Sequence, residues 1–162
     1  MNKIKQSIEK AINKQINAEE FSARLYKSMA SWCDVNGLPG CAKFFWAHGD
    51  EEMEHMMRFV NYLNNRGGHA LFDAVEKPQQ EFKNITEIFE LANKHEEEVT
   101  KMINDIYEIA EKEKDHATCN MLQWFIAEQV EEETLFGECL DIIKCAGKTN
   151  IFLADQAIAG KE

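Results

Sequence analysis

Apolar residues recur along this chain at alternating steps of three and four, the signature of helices with one buried face. One stripe runs Ile8, Ile12, Gln15, Glu19, Ser22, Tyr26, Met29, Cys33. A second runs Phe45, Gly49, Glu52, Met56, Phe59, Leu63. A third runs Phe89, Ala92, Glu96, Val99, Ile103, Ile106, Ala110, and a fourth Met121, Phe125, Glu128, Glu132, Leu135, Cys139, Ile142, Ala146. The stretch "DVNGLPG" breaks the first from the second, and Gly67-Gly68 stops the second. Asn84 with Glu87 forms a capping box, and Asp115 caps the fourth helix, which ends near Ala146-Gly147. The pattern predicts helices over about 4–33, 41–66, 85–113 and 115–146. The segment "NIFLADQAIA" adds a short fifth over about 150–159, all within one domain spanning 1–162.

Connection lengths set the directions. The first and third are short, so each joins an antiparallel pair. The middle one, about 18 residues, can reach roughly 59 Å when extended. A helix of about 26 residues is only roughly 39 Å long. The middle connection can therefore return along the bundle and leave helices two and three parallel. The expected fold is all-α: a four-helix bundle with one long crossover and a short fifth helix.

Each stripe contains an anomaly. A carboxylate stands where an aliphatic residue belongs: Glu19, Glu52, Glu96 and Glu132, each near mid-helix. Four such groups cannot all stay ionised in a dry core, because desolvation costs several kcal/mol per ion. Bound cations neutralise the charge and use the oxygen lone pairs. His55 follows Glu52 by three residues, so both reach the same side of one helix. Glu-x-x-His plus inward glutamates on the other helices is the di-metal pattern of helical bundles. One Glu-x-x-His alone is weak; Glu113-Lys-Asp-His116 also matches and reads as a solvated junction. Its combination with three further inward acids is what makes the signal strong.

Composition sharpens this picture in three ways. The formal net charge of −11 excludes the basic surface that nucleic-acid binding needs and favours cations as partners. No apolar run is long enough to span a bilayer, and the polar, basic start lacks the apolar stretch of an export signal. A cytoplasmic protein is expected. The five cysteines (Cys33, Cys41, Cys119, Cys139, Cys145) show no CxxC spacing and read as reduced thiols.

At these residues the chain resembles the bacterial-type non-haem ferritins. The likeness is carried by "NAEEFSARLY" (17–26), "EEMEHM" (51–56), "HEEEVTKMIN" (95–104), "FLADQ" (152–156) and above all "LQWFIAEQVEEE" (122–133). By this resemblance, Glu19 and His55 hold one iron and Glu52 bridges to a second. Glu96 holds the second, with Glu132 beside it and Gln129 as ligand or close neighbour. A third iron position matches Glu51, Glu128, Glu131 and Glu132, and Tyr26 and Trp124 match aromatics next to the centre. The implied function is iron storage with ferroxidase activity, using O2 or H2O2, in a homo-oligomeric shell of 24 subunits. The fifth helix would sit at the four-fold axes, where Ile151, Phe152, Ala157 and Ile158 would form an apolar contact.

Two departures from relatives matter. Bacterioferritins carry a second Glu-x-x-His on helix four; here that stretch is Gln129-Val-Glu-Glu132. Animal ferritins place acids in a three-fold channel where this chain has Cys119 and Leu122. Met53, Met56 and Met57 fall at helical spacing and read as packing residues, so no haem is expected.

Overall fold

The computed structural model describes residues 3–161, so residues 1, 2 and 162 of the expected domain lie outside it. Among the described residues every regular element is a helix: α1 (Gln6–Val35), α2 (Pro39–Asn65), α3 (Ile85–Lys112), α4 (His116–Ala146) and α5 (Ile151–Ile158). The fold is the expected all-α bundle with one long crossover. Boundaries shift by one or two residues from the periodicity. Pro39 supplies the first turn of α2, where its missing N–H costs nothing. At α3 the Asn84 side chain accepts from Glu87 N at 2.9 Å, while Glu87 reaches back to Lys83 N at 2.6 Å, one residue earlier than a standard capping box. Asp115 caps α4 by accepting from Thr118 N at 3.1 Å.

The crossover needs partners for its backbone, and the outer face of α1 provides them. Asn13 donates to His69 O at 3.0 Å and accepts from Leu71 N at 2.7 Å. Asn17 donates to Ala74 O at 3.2 Å, and Ser28 to Gln79 O at 2.7 Å. These polar residues stand opposite the buried stripe, so α1 serves the core with one face and the crossover with the other. Irregular backbone thereby satisfies its hydrogen bonds without a sheet.

Stripes one, two and three are buried as read. The fourth is displaced. The buried face of α4 is Leu122, Phe125, Gln129, Glu132, Phe136, Cys139 and Ile143. Met121, Glu128, Leu135, Ile142 and Ala146 are only half-buried. Apolar residues cover two adjacent faces of α4, so two stripes a residue apart fitted the same period.

The core falls into two apolar clusters. One holds Ile8, Ile12, Ile16, Phe59, Ile103 and Phe125, the other Tyr26, Phe45, Phe89, Phe136 and Ile143. Between them, at mid-length of all four helices, lies a polar layer that includes the four inward glutamates.

The fifth helix closes the second cluster in an unexpected way. Ile158 and Ala154 turn inward, so Ile158 is not part of an exposed patch; Phe152 and Leu153 are the exposed apolar pair. Asp155 is buried and accepts from Gly40 N at 2.9 Å and Cys41 N at 2.7 Å. A carboxylate from α5 thus caps the N-terminus of α2, satisfying donors the helix leaves open. Gly40 is required by this approach, since a Cβ there would collide with the Asp155 carbonyl. Asp155→Ala is expected to destabilise the fold by about 1–2 kcal/mol, measured by urea denaturation. Gly40→Ala, which pushes α5 off its seat, should cost at least as much.

Candidate metal centre

The polar layer is built from one or two residues per helix. Glu19 of α1 and Glu52 and His55 of α2 are all buried, and each offers a ligand atom within 4.8 Å of the others. His55 Nδ1 lies 3.4 Å from Glu52 Oε2. Glu96 of α3 and Glu132 of α4 are buried alongside. The charges of Glu19, Glu96 and Glu132 all bear on Glu52.

One oxygen of Glu19 is held: Gln15 Nε2 donates to its Oε1 at 2.8 Å. Its Oε2, Glu52 Oε2 and Glu132 Oε2 are buried without any hydrogen-bond partner. Buried carboxylate oxygens left bare are costly and rare in native structures. Glu19 and Glu52 converge with His55, and Glu132 lies beside His48; such donors suit divalent metal ions.

Glu96 is held on both sides. Tyr26 donates its hydroxyl to Oε1, and Gln129 Nε2 donates to Oε2 at 3.0 Å. Each oxygen keeps a second lone pair for a cation. Tyr26 and Gln129 therefore act on Glu96 as donors in this arrangement. Burial, with the Glu96 charge, pushes the Tyr26 hydroxyl well above its usual range, so Tyr26 keeps its proton.

Two further groups lie beside this centre. Glu51, His55 and Glu128 converge, and so do His48, Glu51 and Glu132. Of the residues expected at a third position, Glu51, Glu128 and Glu132 are brought together in these groups. Glu131 is exposed and belongs to neither, although its charge reaches Glu128 and Glu132. His48 was absent from the sequence reading. It precedes Glu52 by four residues, so helical spacing alone could have marked it. Its Nδ1 lies 2.9 Å from Phe44 O. A carbonyl can only accept, so Nδ1 carries the proton and Nε2 presents a lone pair, 3.7 Å from the bare Glu132 Oε2.

Aromatic packing fixes the His55 ring. Trp124 meets it edge-on with centroids 5.5 Å apart, and the Arg58 guanidinium lies 3.7 Å above the indole.

Comparison with known proteins identifies the family and the fold. The family profile described as Ferritin-like domain matches residues 9–146. The chain belongs to the ferritin family. It is 41% identical over 157 residues to a bacterial non-heme ferritin of Campylobacter jejuni, covering 96% of this chain and 94% of that one. It is 39% identical to a probable bacterial non-heme ferritin-like protein of Haemophilus influenzae, covering 94% of each. The structure superposes on an open pore ferritin from the archaeon Archaeoglobus fulgidus with a TM-score of 0.95 and 37% identity, over 98% of both chains.

In this ferritin the thiols stand apart from the acid layer. Cys33, Cys41 and Cys139 are buried under α5, and burial pushes Cys33 up to about 12 and Cys139 to about 11. They stay protonated and are poor nucleophiles.

The acids respond strongly to their surroundings. Burial raises Glu19 and raises Glu52 well above 4.5, with the Glu19 and Glu96 charges adding to the effect on Glu52. Burial pushes Glu96 up to about 7. Burial, with Glu96 and Glu51 nearby, pushes Glu132 to about 9. The sign of the linkage follows. Above pH 4.5 the unfolded chain ionises these groups while the folded chain keeps protons on them. The native state then binds more protons, so stability falls as pH rises, through about 7 for Glu96 and about 9 for Glu132. Cation-free ferritin should lose thermal stability between pH 5 and pH 9. Zinc should raise the melting temperature more at pH 8 than at pH 5, because it replaces protons that must otherwise be retained. Calorimetry with and without zinc reads both effects.

Proposed function

We propose that this ferritin stores iron and oxidises Fe(II) at a di-iron centre within each subunit. The reading is carried by the bare, buried oxygens of Glu19 and Glu52 beside His55 and of Glu132 beside His48, in a chain of this family. Iron is the substrate. Glu19 and His55 hold one Fe(II), Glu52 lies between the two, and Glu96 with Glu132 holds the second. Tyr26 and Gln129 orient Glu96. Glu51, Glu128 and His48 provide a third position beside the pair, with Glu131 at its solvent edge.

Carboxylates are hard, charged ligands and favour Fe(III) over Fe(II), so the donor set itself drives the oxidation. Each of two Fe(II) ions gives up one electron. Dioxygen, taking two electrons and two protons, leaves as hydrogen peroxide; hydrogen peroxide, taking the same, leaves as two molecules of water. The charge of −11 draws cations toward the protein. Product iron must leave the site to mineralise, and one bundle has no room for a mineral. The subunits, each read as a single domain, must therefore assemble; the resemblance to ferritins implies a shell of 24, and we place it in the cytoplasm. The exposed Phe152 and Leu153 of α5, 62% exposed each, fit burial between subunits.

Among the described residues no helix is long and apolar enough to cross a membrane.

The test adds Fe(II) in air to iron-free protein and follows ferric absorbance. Glu52→Ala with His55→Ala should lower the initial rate by about 100-fold or more, since direct ligands outweigh the outer partners that cost 10–100-fold. Zinc should compete and block the fast phase. An unchanged rate in the double variant would refute the site. Native mass measured beside it should give a shell of roughly half a megadalton, about 24 copies at 18.7 kDa each.

A further inference from the structure

A half-buried carboxylate on α4 is linked through a hydroxyl to the buried amide of Gln129, whose nitrogen also donates to Glu96 O at 3.3 Å. Thr100 Oγ1 lies 2.5 Å from Glu133 Oε1 and 3.2 Å from Gln129 Nε2. A hydroxyl has one proton to give, and an ionised carboxylate can only accept. Thr100 therefore donates to Glu133. Its oxygen is left to accept, and only the nitrogen end of Gln129 can donate to it. The same nitrogen then reaches Glu96 Oε2 at 3.0 Å. The two ends of an amide are nearly identical in shape, so packing does not choose between them. A cavity of about 220 Å³ between α3 and α4, bordered by Thr100, Asn104, Gln129 and Glu133, leaves the choice to hydrogen bonding alone.

We propose that Thr100 and Glu133 are positioning residues. They hold Gln129 with its nitrogen toward Glu96, which makes Gln129 a donor to that carboxylate rather than a metal ligand and aims Glu96 at the second cation. The inference rests on the reading that Glu96 binds a cation. Neither Thr100 nor Glu133 faces the centre: the chain of bonds runs Glu133, Thr100, Gln129, Glu96, and ends where Tyr26 secures the opposite oxygen. Removing the hydroxyl leaves Gln129 Nε2 with only the Glu96 acceptors, its backbone O at 3.3 Å and Oε2 at 3.0 Å, so the donor on Glu96 is held less firmly.

The experiment titrates the assembled, iron-free protein with Co(II) and Zn(II), following heat and the Co(II) visible spectrum. Wild-type protein should take up two tight cations per subunit. Thr100→Val keeps the shape of the side chain and should weaken the second cation about 10-fold or more while leaving the first unchanged. Thr100→Ser restores the hydroxyl and should restore the second affinity and its spectrum. Glu133→Gln, which can donate as well as accept, should fall between the two. The proposal fails if Thr100→Val titrates like wild type, if Thr100→Ser behaves like Thr100→Val, or if both cations weaken equally. Wild-type protein that binds no cation would overturn the metal-site reading itself, a result distinct from all of these.

Discussion

The constraint that organises this molecule is the cost of negative charge at the centre of a dry bundle. Four helices each bring a carboxylate to one level, and three of those carboxylates keep an oxygen that nothing in the protein satisfies. A layer designed only for stability would pair such groups with arginine or lysine, or replace them by aliphatic residues, which is often the more stable choice. No arginine or lysine stands in this layer among the described residues; its nitrogen partners are the imidazoles of His55 and His48 and the amides of Gln15 and Gln129. The layer is therefore incomplete as protein, the condition that the proposed cation site would explain.

The rest of the fold can be read as the support that this layer requires. Apolar clusters on both sides bear the stability, with Phe59 stacked on Phe125 at 4.0 Å on one side and Tyr26 on Phe136 at 5.4 Å on the other. The bundle ends are tied by charged hydrogen bonds: Arg66 forks onto Asp115 at 3.0 and 2.8 Å, joining the end of α2 to the start of α4. At the opposite end Asp155 joins α5 to α2. Helices fixed at both ends hold mid-length side chains in register, and rigid elements give ligand sets their geometry.

Much of this was legible in the sequence because helical period and charge speak to the same positions. Glu19, Glu52 and Glu96 were conspicuous as the polar members of otherwise apolar stripes. The crossover followed from chain length against helix length. What periodicity did not resolve was α4, where Leu122, Gln129, Phe136 and Ile143 form the buried face beside a second apolar stripe. Glu132 belongs to both readings and so survived the error, whereas Gln129 was placed by resemblance rather than by pattern. The role of Asp155 was invisible, since a lone acid in a short terminal helix gives no sign that it will cap a helix more than a hundred residues away. His48 was missed for a different reason: it lies between Ala47 and Gly49, off the stripe that exposed the acids, and only the structure brings its second nitrogen to a bare carboxylate.

These supports also share a logic at the level of single oxygens. Gln15 holds one oxygen of Glu19 and leaves the other bare; Tyr26 and Gln129 hold one lone pair on each oxygen of Glu96 and leave one each. A carboxylate held this way is restrained from rotating to satisfy itself elsewhere, so its free lone pair keeps one direction. Pre-set geometry of this kind lowers the reorganisation needed when an ion changes charge in the site, because the donors are already where the higher charge wants them. The cost in stability is carried by the free lone pairs, which under the proposed function a bound cation would offset.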